Sequence, residues 1–155
     1  MAKAWDIRRR RENETLNGEF DMIDRMNEQI IKAILETMPG EISVIDHNDE
    51  VIGWNKHETR LFHRPMDSMG INFRECHPKS SLAKVEQIVT EMKSGQRDKA
   101  MFWIDLPVGP KKEKHKIIIE FFALRDSDGK YLGCLEFTQD AEEIRNLQGE
   151  KRLLD

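Results

Sequence analysis

The most constraining feature of this sequence is a run of three successive strand patterns toward its C-terminal end. The strands are predicted at residues 99–106, 115–125 and 131–138, and each is rich in β-branched and aromatic residues. The turn before the third strand contains Asp128 and Gly129, a pair that favours a tight hairpin. The three strands therefore predict an antiparallel meander, whose apolar face needs a cover.

Alternation along the strands assigns side chains to two faces of this sheet. One face is predicted to carry Ala100, Phe102, Ile104 and Leu106 of the first strand and Ile117, Ile119, Phe121 and Ala123 of the second. The other face of the second strand carries Lys116 and Glu120, but also Ile118 and Phe122. That face is therefore not expected to be purely solvent-exposed.

An opening hairpin and several helices precede the meander. Strands are predicted at residues 41–46 and 51–55, then short helical pieces, and then a longer helix near residues 81–94. The fold class predicted from this order is α+β, with a five-stranded antiparallel sheet, short helices on one of its faces, and flanking helices at both ends.

The predicted flanking helices divide the chain into three parts. Residues 1–37 form an N-terminal amphipathic or coiled-coil helix, residues 38–140 the central domain, and residues 141–155 an exit helix. Apolar residues of the first helix follow alternating steps of four and three, which predicts a homodimer. The alternative is a helix packed on its own domain. The predicted dimer residues are Phe20, Ile23, Asn27, Ile30 and Ile34.

Composition and local motifs exclude several functional classes. The longest apolar runs fall short of the ~20 residues of a membrane span, and the start of the chain lacks a signal-peptide core, so a cytoplasmic protein is expected. The net charge of −4 argues against a nucleic-acid binder, despite the basic run at residues 8–11. The sequence shows no phosphate loop, zinc-protease motif or nucleophile triad, so the chain is not predicted to be an enzyme.

Several motifs, in this order of elements, resemble those of a PAS sensor domain. They are residues 42–46 with their polar turn, residues 52–55, and residues 125–133 leading into Thr138-Gln139-Asp140. That triplet stands where PAS domains often carry an Asp-Ile-Thr sequence that links the sheet to an effector, although Ala141 follows the Asp here.

A closer resemblance is to the PAS domain that follows a hemerythrin-like domain in bacterial and archaeal proteins of uncertain function. Residues 76–78, 94–98, 102–104, 122–126 and 149–154 are similar to that group. Two positions depart from it, since Lys79 replaces a usual proline and Ala83 replaces a frequent histidine.

The resemblance implies a ligand pocket between the sheet and the helices that cover it. The candidate ligand-binding residues are His77, Cys76, Trp103, Phe121, Val85 and Val89. His77 is the candidate metal ligand, as the axial residue of a haem, and its alternative role is a hydrogen-bonding residue at a helix start. Cys76 is either a reactive thiol or a small buried hydrophobe. A photoactive flavin is disfavoured, because residues 72–76 lack the required cysteine setting.

Two functions remain open from the sequence. In the first, the chain is a sensory module that binds a small ligand or cofactor and relays occupancy through Thr138, Gln139 and Asp140 to a dimer or to a protein partner of a signalling pathway. In the second, it is a cofactor-free interaction and dimerisation module whose core is filled by its own side chains.

Overall fold

A computed structural model describes residues 23–56 and 58–153 of the chain. Five antiparallel strands form one sheet in the order β2-β1-β5-β4-β3. The strands are β1 (Glu41–Asp46), β2 (Val51–Trp54), β3 (Lys99–Val108), β4 (Glu113–Arg125) and β5 (Tyr131–Asp140). The helices are α1 (Glu28–Thr37), α2 (Phe73–Cys76), α3 (Lys79–Lys93) and α4 (Glu142–Arg145), with 3-10 turns at Ile23–Arg25 and Met66–Ser68. The predicted α+β fold class with a five-stranded sheet is confirmed.

The sheet has an inner face, which the helices cover, and an outer face. The register pairs Phe121 of β4 with Ala100 of β3 and with Glu136 of β5, so these side chains share the inner face. Helix α3 packs against this face with Val85, Val89 and Met92, all buried and at helical spacing. Burial of each such side chain contributes roughly 1.5–3 kcal/mol. This helix and the sheet therefore hold most of the core.

The ends of α3 follow from local sequence. Pro78 has an extended backbone and precedes the first helical residue, a position where its missing N–H is not needed. At the other end Gly95 adopts a φ of 76°, and the backbone N–H groups of Gly95 and Gln96 donate to the carbonyls of Met92 and Glu91. These bonds terminate the helix in the way typical of a glycine stop.

The outer face exposes large apolar side chains on β3. Met101 is 51% exposed and Trp103 is 60% exposed. Trp103 lies opposite Ile118 in the β3–β4 register, whereas the inner-face residue Phe102 lies opposite Ile119. The prediction that Trp103 contacts a ligand between sheet and helices is therefore wrong, because strand alternation turns its side chain to the other side.

The N-terminal segment is interrupted at Asn27. The predicted helix runs without a break from residue 15 to residue 37, but the described chain has a 3-10 turn at Ile23–Arg25 and α1 begins only at Glu28. Asn27 Oδ1 accepts a hydrogen bond from the backbone N–H of Ile30 at 2.9 Å. Asn27 thus has the role of a helix N-cap and not of a polar residue inside a continuous coiled-coil seam. Phe20 lies outside the described residues.

The chain divides into two compact units, Met1–Leu35 and Glu36–Asp155. Within the second unit, α4 forms a single turn where the sequence predicts a helix over residues 141–155. Asn146 caps this turn, because its side chain donates to the Glu142 carbonyl and its backbone N–H donates to the Glu143 carbonyl. The helices of the described residues are all too short or too polar to cross a bilayer.

Candidate functional site

Two adjoining cavities lie between the inner face of the sheet and the elements that cover it. The larger has a volume of about 530 Å³ and the smaller of about 40 Å³. Pockets that bind small organic ligands have volumes of about 300–1,000 Å³, so the larger cavity is of sufficient size. The residues that line both cavities are Arg64, Cys76, His77, Val85, Phe121 and Glu136.

The larger cavity has a predominantly apolar wall with a few polar groups. Phe102 and Phe121 of the sheet stack with their ring centroids 5.7 Å apart. The other apolar lining residues are Leu61, Phe62, Val85, Ile104 and Ile119, and the polar ones are His63, Arg64, His77, Ser81 and Glu136. An apolar wall that converges on few polar groups is typical of sites for small molecules.

Arg60 fixes the irregular segment that forms one wall of this cavity. Its side chain is 1% exposed and donates to the carbonyls of Ile42, Asn55 and Phe62 and to the hydroxyl of Ser43, at distances from 2.9 to 3.1 Å. Burial lowers the pKa of the guanidinium and the charge of Glu41 opposes that effect. An arginine remains charged under these conditions, so the positive charge is buried with a full set of acceptors.

Glu41 completes this buried network from strand β1. Its carboxylate is 7% exposed and lies 3.6 Å from the Arg60 guanidinium. The backbone N–H of Leu61 donates a short hydrogen bond to the same carboxylate. The pair therefore ties residues 60–62, which have no helix or strand of their own, to the start of strand β1.

A second ion pair stands in the cavity wall itself. Arg64 donates to Glu136 Oε1 of β5 at 3.0 Å, and the two side chains are 16% and 13% exposed. Both residues border both cavities. A charge-assisted bond with so little exposure is stronger than an ordinary surface pair.

His77 is held in a defined orientation beside this pair. Its Nδ1 donates to the carbonyl oxygen of Phe73 at 2.8 Å, and its ring meets the Phe73 ring edge to face at 5.8 Å. In the neutral ring that bond leaves Nε2 as the nitrogen with a lone pair. Nε2 of His77 could therefore accept a hydrogen bond from a ligand or bind a metal ion such as a haem iron.

Most of the predicted ligand-binding residues meet at these cavities. Cys76, His77, Val85 and Phe121 border both of them, and Val89 borders the smaller one. Trp103 is the exception described above. Within residues 23–56 and 58–153, no cluster of three or more His, Cys, Asp or Glu side chains is arranged to hold a metal ion.

Sequence reasoning missed the charged residues of the site. Arg60, Arg64 and Glu41 lie in segments that the sequence predicts as a short helical piece, a turn and a strand. Glu136 could have been found, because it occupies the same alternation set of β5 as the buried Cys134 and Thr138. An acidic residue on a core-facing strand position indicates a paired or functional group.

The junction between β5 and α4 is organised by Asp140. Its Oδ2 accepts a hydrogen bond from His115 Nδ1 at 2.6 Å, and its Oδ1 accepts one from the backbone N–H of Glu142 at 2.9 Å. The Glu142 carboxylate in turn accepts from the backbone N–H of Lys116 at 3.0 Å. These bonds fasten the first turn of α4 to β4 and to the end of β5.

The comparison with protein families gives one match over most of the chain. A family model described as a PAS domain matches residues 31–142. A search of the curated proteins finds no match.

Solved structures with the same fold extend this comparison. The C-terminal domain of a protein from Streptococcus mutans is 26% identical with a TM-score of 0.70, over 79% of this chain and 91% of that one. The PAS domain of Bordetella pertussis BvgS is 19% identical with a TM-score of 0.54, over 77% and 93%. The VqmA dimer of Vibrio cholerae is 21% identical with a TM-score of 0.56, over 81% of this chain and 56% of that one. The last two likenesses concern the fold alone.

Replacement of Arg60 is expected to unfold or strongly destabilise the domain. Arg60→Met leaves the buried Glu41 carboxylate without its cation, a change that costs about 3–5 kcal/mol in comparable buried pairs. Urea denaturation would measure the free energy of unfolding. The control is Arg152→Met, which removes an exposed pair with Glu150 and should cost less than about 1 kcal/mol. Equal losses in the two variants would contradict the role assigned to Arg60.

The His115–Asp140 bond predicts a pH-dependent contribution to stability. The hydrogen bond to Asp140, followed by nearby carboxylates, raises the pKa of His115 in the folded chain. Because the folded pKa exceeds the unfolded one, the contribution is complete below about pH 6.5 and is lost as the pH rises through the folded pKa. The excess in free energy of unfolding of wild type over His115→Gln should disappear between pH 6 and pH 9 in urea denaturation. Lys84→Gln, at an exposed position on α3, should keep the pH dependence of wild type. Parallel curves for wild type and His115→Gln would contradict this prediction.

Proposed function

This chain belongs to the PAS domain family, and from that premise we propose that it is a sensory module that binds a small ligand or cofactor between its sheet and helices α2 and α3. The observation that carries the proposal is the cavity of about 530 Å³, whose apolar wall is interrupted by His77, Arg64 and Glu136. PAS domains serve in sensing and signal transduction, and a pre-formed pocket of this size suits that role.

The proposed route of the signal is strand β5. Glu136 borders the cavity, and Thr138, Gln139 and Asp140 follow it toward α4. Among the described residues the buried Thr138 hydroxyl has no hydrogen-bond partner, so a shift of β5 that supplies one gains free energy. A ligand that binds more tightly when β5 is in one of two placements increases the population of that placement. Asp140 passes the shift of β5 to α4.

The proposed organisation keeps the three parts of the sequence prediction, with residues 1–37 as a dimerisation segment, residues 38–140 as the sensor and residues 141–155 as the exit segment. Ile30 and Ile34 lie one turn apart on α1 and are 46% and 41% exposed. This apolar stripe favours a homodimer, in which Ile23 takes part.

Further details are part of the proposal. The role is proposed to be non-enzymatic, in the cytoplasm, with a signalling protein as partner, and the two free cysteines suit a reducing compartment. Within the PAS family, the chain is proposed to be most similar to the PAS domains that follow hemerythrin-like domains.

Haem is one cofactor whose requirements the residues of the site fit. His77 would bind the iron through Nε2, and the carbonyl of Phe73 would hold the ring through Nδ1, as outer-shell partners do in metal sites. Bound haem would supply a redox- and gas-sensitive iron. Phe102 and Phe121 would provide an apolar wall for the macrocycle.

A cofactor-free interaction module is the second candidate. The observation that favours it is the exposed pair Met101 and Trp103 on the outer face of the sheet. Apolar patches of this kind often mark protein contacts. In this alternative the cavity carries no signal.

Small-molecule binding can be tested by a variant that fills the cavity. Ser81 borders the larger cavity, so Ser81→Trp should abolish binding, whereas Lys84→Trp on the exposed side of the same helix should not. The readouts are the mass spectrum of molecules released on denaturation and the absorption spectrum before and after hemin is added. A Soret band lost in both Ser81→Trp and His77→Ala would identify haem.

Two results would contradict the sensory proposal. One is ligand or hemin binding that Ser81→Trp leaves unchanged, since the site would then lie elsewhere. The other is a wild-type protein that releases no small molecule, binds no hemin and gains no thermal stability from a fragment library. That second result favours the interaction module.

The dimer proposal predicts a loss of association when α1 becomes charged. Ile30→Asp combined with Ile34→Asp should weaken the dimer at least about tenfold, because apolar anchors dominate such interfaces. Light scattering over a concentration series would give the mass. Gln29→Asp, an exposed position on the same helix, is the control. A wild-type protein that stays monomeric at high concentration would rule out the dimer.

A further inference from the structure

The charge balance of the cavity wall restricts the kind of ligand it accepts. We infer that the cavity selects an uncharged ligand with an apolar body and an adjacent hydrogen-bond donor and acceptor, as in a primary amide or a lactam, over carboxylates and amines. The inference rests on the proposed function, since it specifies the ligand class of the same cavity.

The acidic and basic residues in and behind this wall cancel one another. Arg64 pairs with Glu136 at 3.0 Å, and behind them the buried Arg60 lies 3.6 Å from Glu41. The two cations and two anions leave no net charge. A ligand carboxylate placed at Arg64 would also stand beside Glu136, and a ligand ammonium placed at Glu136 would stand beside Arg64. In a site with little solvent, such a like-charge neighbour is costly.

The pair nevertheless retains unused hydrogen-bonding capacity. A guanidinium has five N–H donors, and the described contacts use one of those of Arg64, for Glu136 Oε1. The same contacts leave Glu136 Oε2 as an acceptor. Arg64 and Glu136 therefore offer a donor and an acceptor next to each other, which a neutral amide or lactam complements with its carbonyl and its N–H.

His77 adds a second acceptor to this arrangement. Its Nδ1 is engaged by the Phe73 carbonyl, so the neutral ring presents Nε2 as an acceptor. The stacked pair Phe102 and Phe121 forms the apolar wall for the ligand body. Sites built to hydrogen-bond a ligand reject analogues that leave these groups unpaired.

The test uses probes that share one aromatic body and differ in the charge and hydrogen-bonding atoms of a single side group. Indole-3-acetamide, indole-3-acetate and tryptamine share one aromatic body, as do the amide, carboxylate and aminomethyl derivatives of naphthalene. Saturation-transfer NMR and calorimetry at pH 8 would rank the affinities of the three members of each set for the full chain. The amide should bind at least about tenfold more tightly than either charged analogue, and Ser81→Trp should abolish its binding.

Charge-switch variants make the test independent of the aromatic body. Glu136→Gln leaves Arg64 uncompensated and should improve carboxylate binding about tenfold or more, while Arg64→Gln should do the same for amines. The double variant, with both Glu136→Gln and Arg64→Gln, has a neutral wall and should again prefer the amide. This third variant keeps the test available where one single variant fails to fold. The control is Glu120→Gln, which breaks the Lys99–Glu120 pair elsewhere on the sheet and should leave the ranking unchanged.

The outcomes separate this inference from the proposed function. Probe binding that Ser81→Trp abolishes, but that favours a carboxylate or an amine, overturns the ligand class and leaves the sensory cavity in place. Charge-switch variants that keep the wild-type ranking also overturn the ligand class. If none of the probes binds in the cavity, the ligand class is overturned. If, in addition, the protein releases no small molecule and binds no hemin, the proposed function is overturned too.

Discussion

The buried guanidinium of Arg60 is the interaction on which the shape of the site depends. Of the segment around it the structure describes residues 55, 56 and 58–65, which form no strand or α-helix, yet they provide Leu61, Phe62 and Arg64 to the cavity wall. Backbone groups in such a segment have no ladder partners. Arg60 compensates by donating to the carbonyls of Asn55 and Phe62 within the segment and to that of Ile42 on β1. Removal of this cation would take a donor from each of the three carbonyls and the counter-charge from the Glu41 carboxylate. The irregular wall is therefore held in place by side-chain bonds.

The cavity exists because the packing of α3 loosens along its length. Near its C-terminal end Met92 is fully buried, and one turn earlier Val89 borders only the smaller cavity. At the N-terminal end Pro78 and Ser81 border the larger cavity, whose wall is completed by Leu61, Phe62 and Arg64 of the irregular segment. Close packing at one end supplies stability, and the gap at the other leaves room for a ligand, so the two requirements are met by different turns of one helix.

How much the sequence predicts depends on how local the responsible interaction is. Strand alternation and the Asp-Gly turn are local, and they were sufficient for the meander and for the inner face with Phe121. Alternation also places Trp103 on the other face of the sheet from Phe102, so the assignment of Trp103 to the pocket depends on residue type alone. The cap at Asn27 and the short α4 depend on single side-chain bonds that compete with helix periodicity. The Arg64–Glu136 pair joins residues far apart in sequence, and no local pattern indicates such a contact.

Strand β5 links the two charged centres of the domain. Glu136 in the cavity wall and Asp140 at the exit lie four residues apart, on the same face and about 13 Å from each other. Each of them is bound to a side chain on another element, Arg64 in the loop and His115 on β4. A strand bonded on both edges moves as a unit, because its ladder resists local change. A ligand that competes for Glu136 therefore acts on the same rigid element that positions the first turn of α4, which gives the proposed relay a physical path.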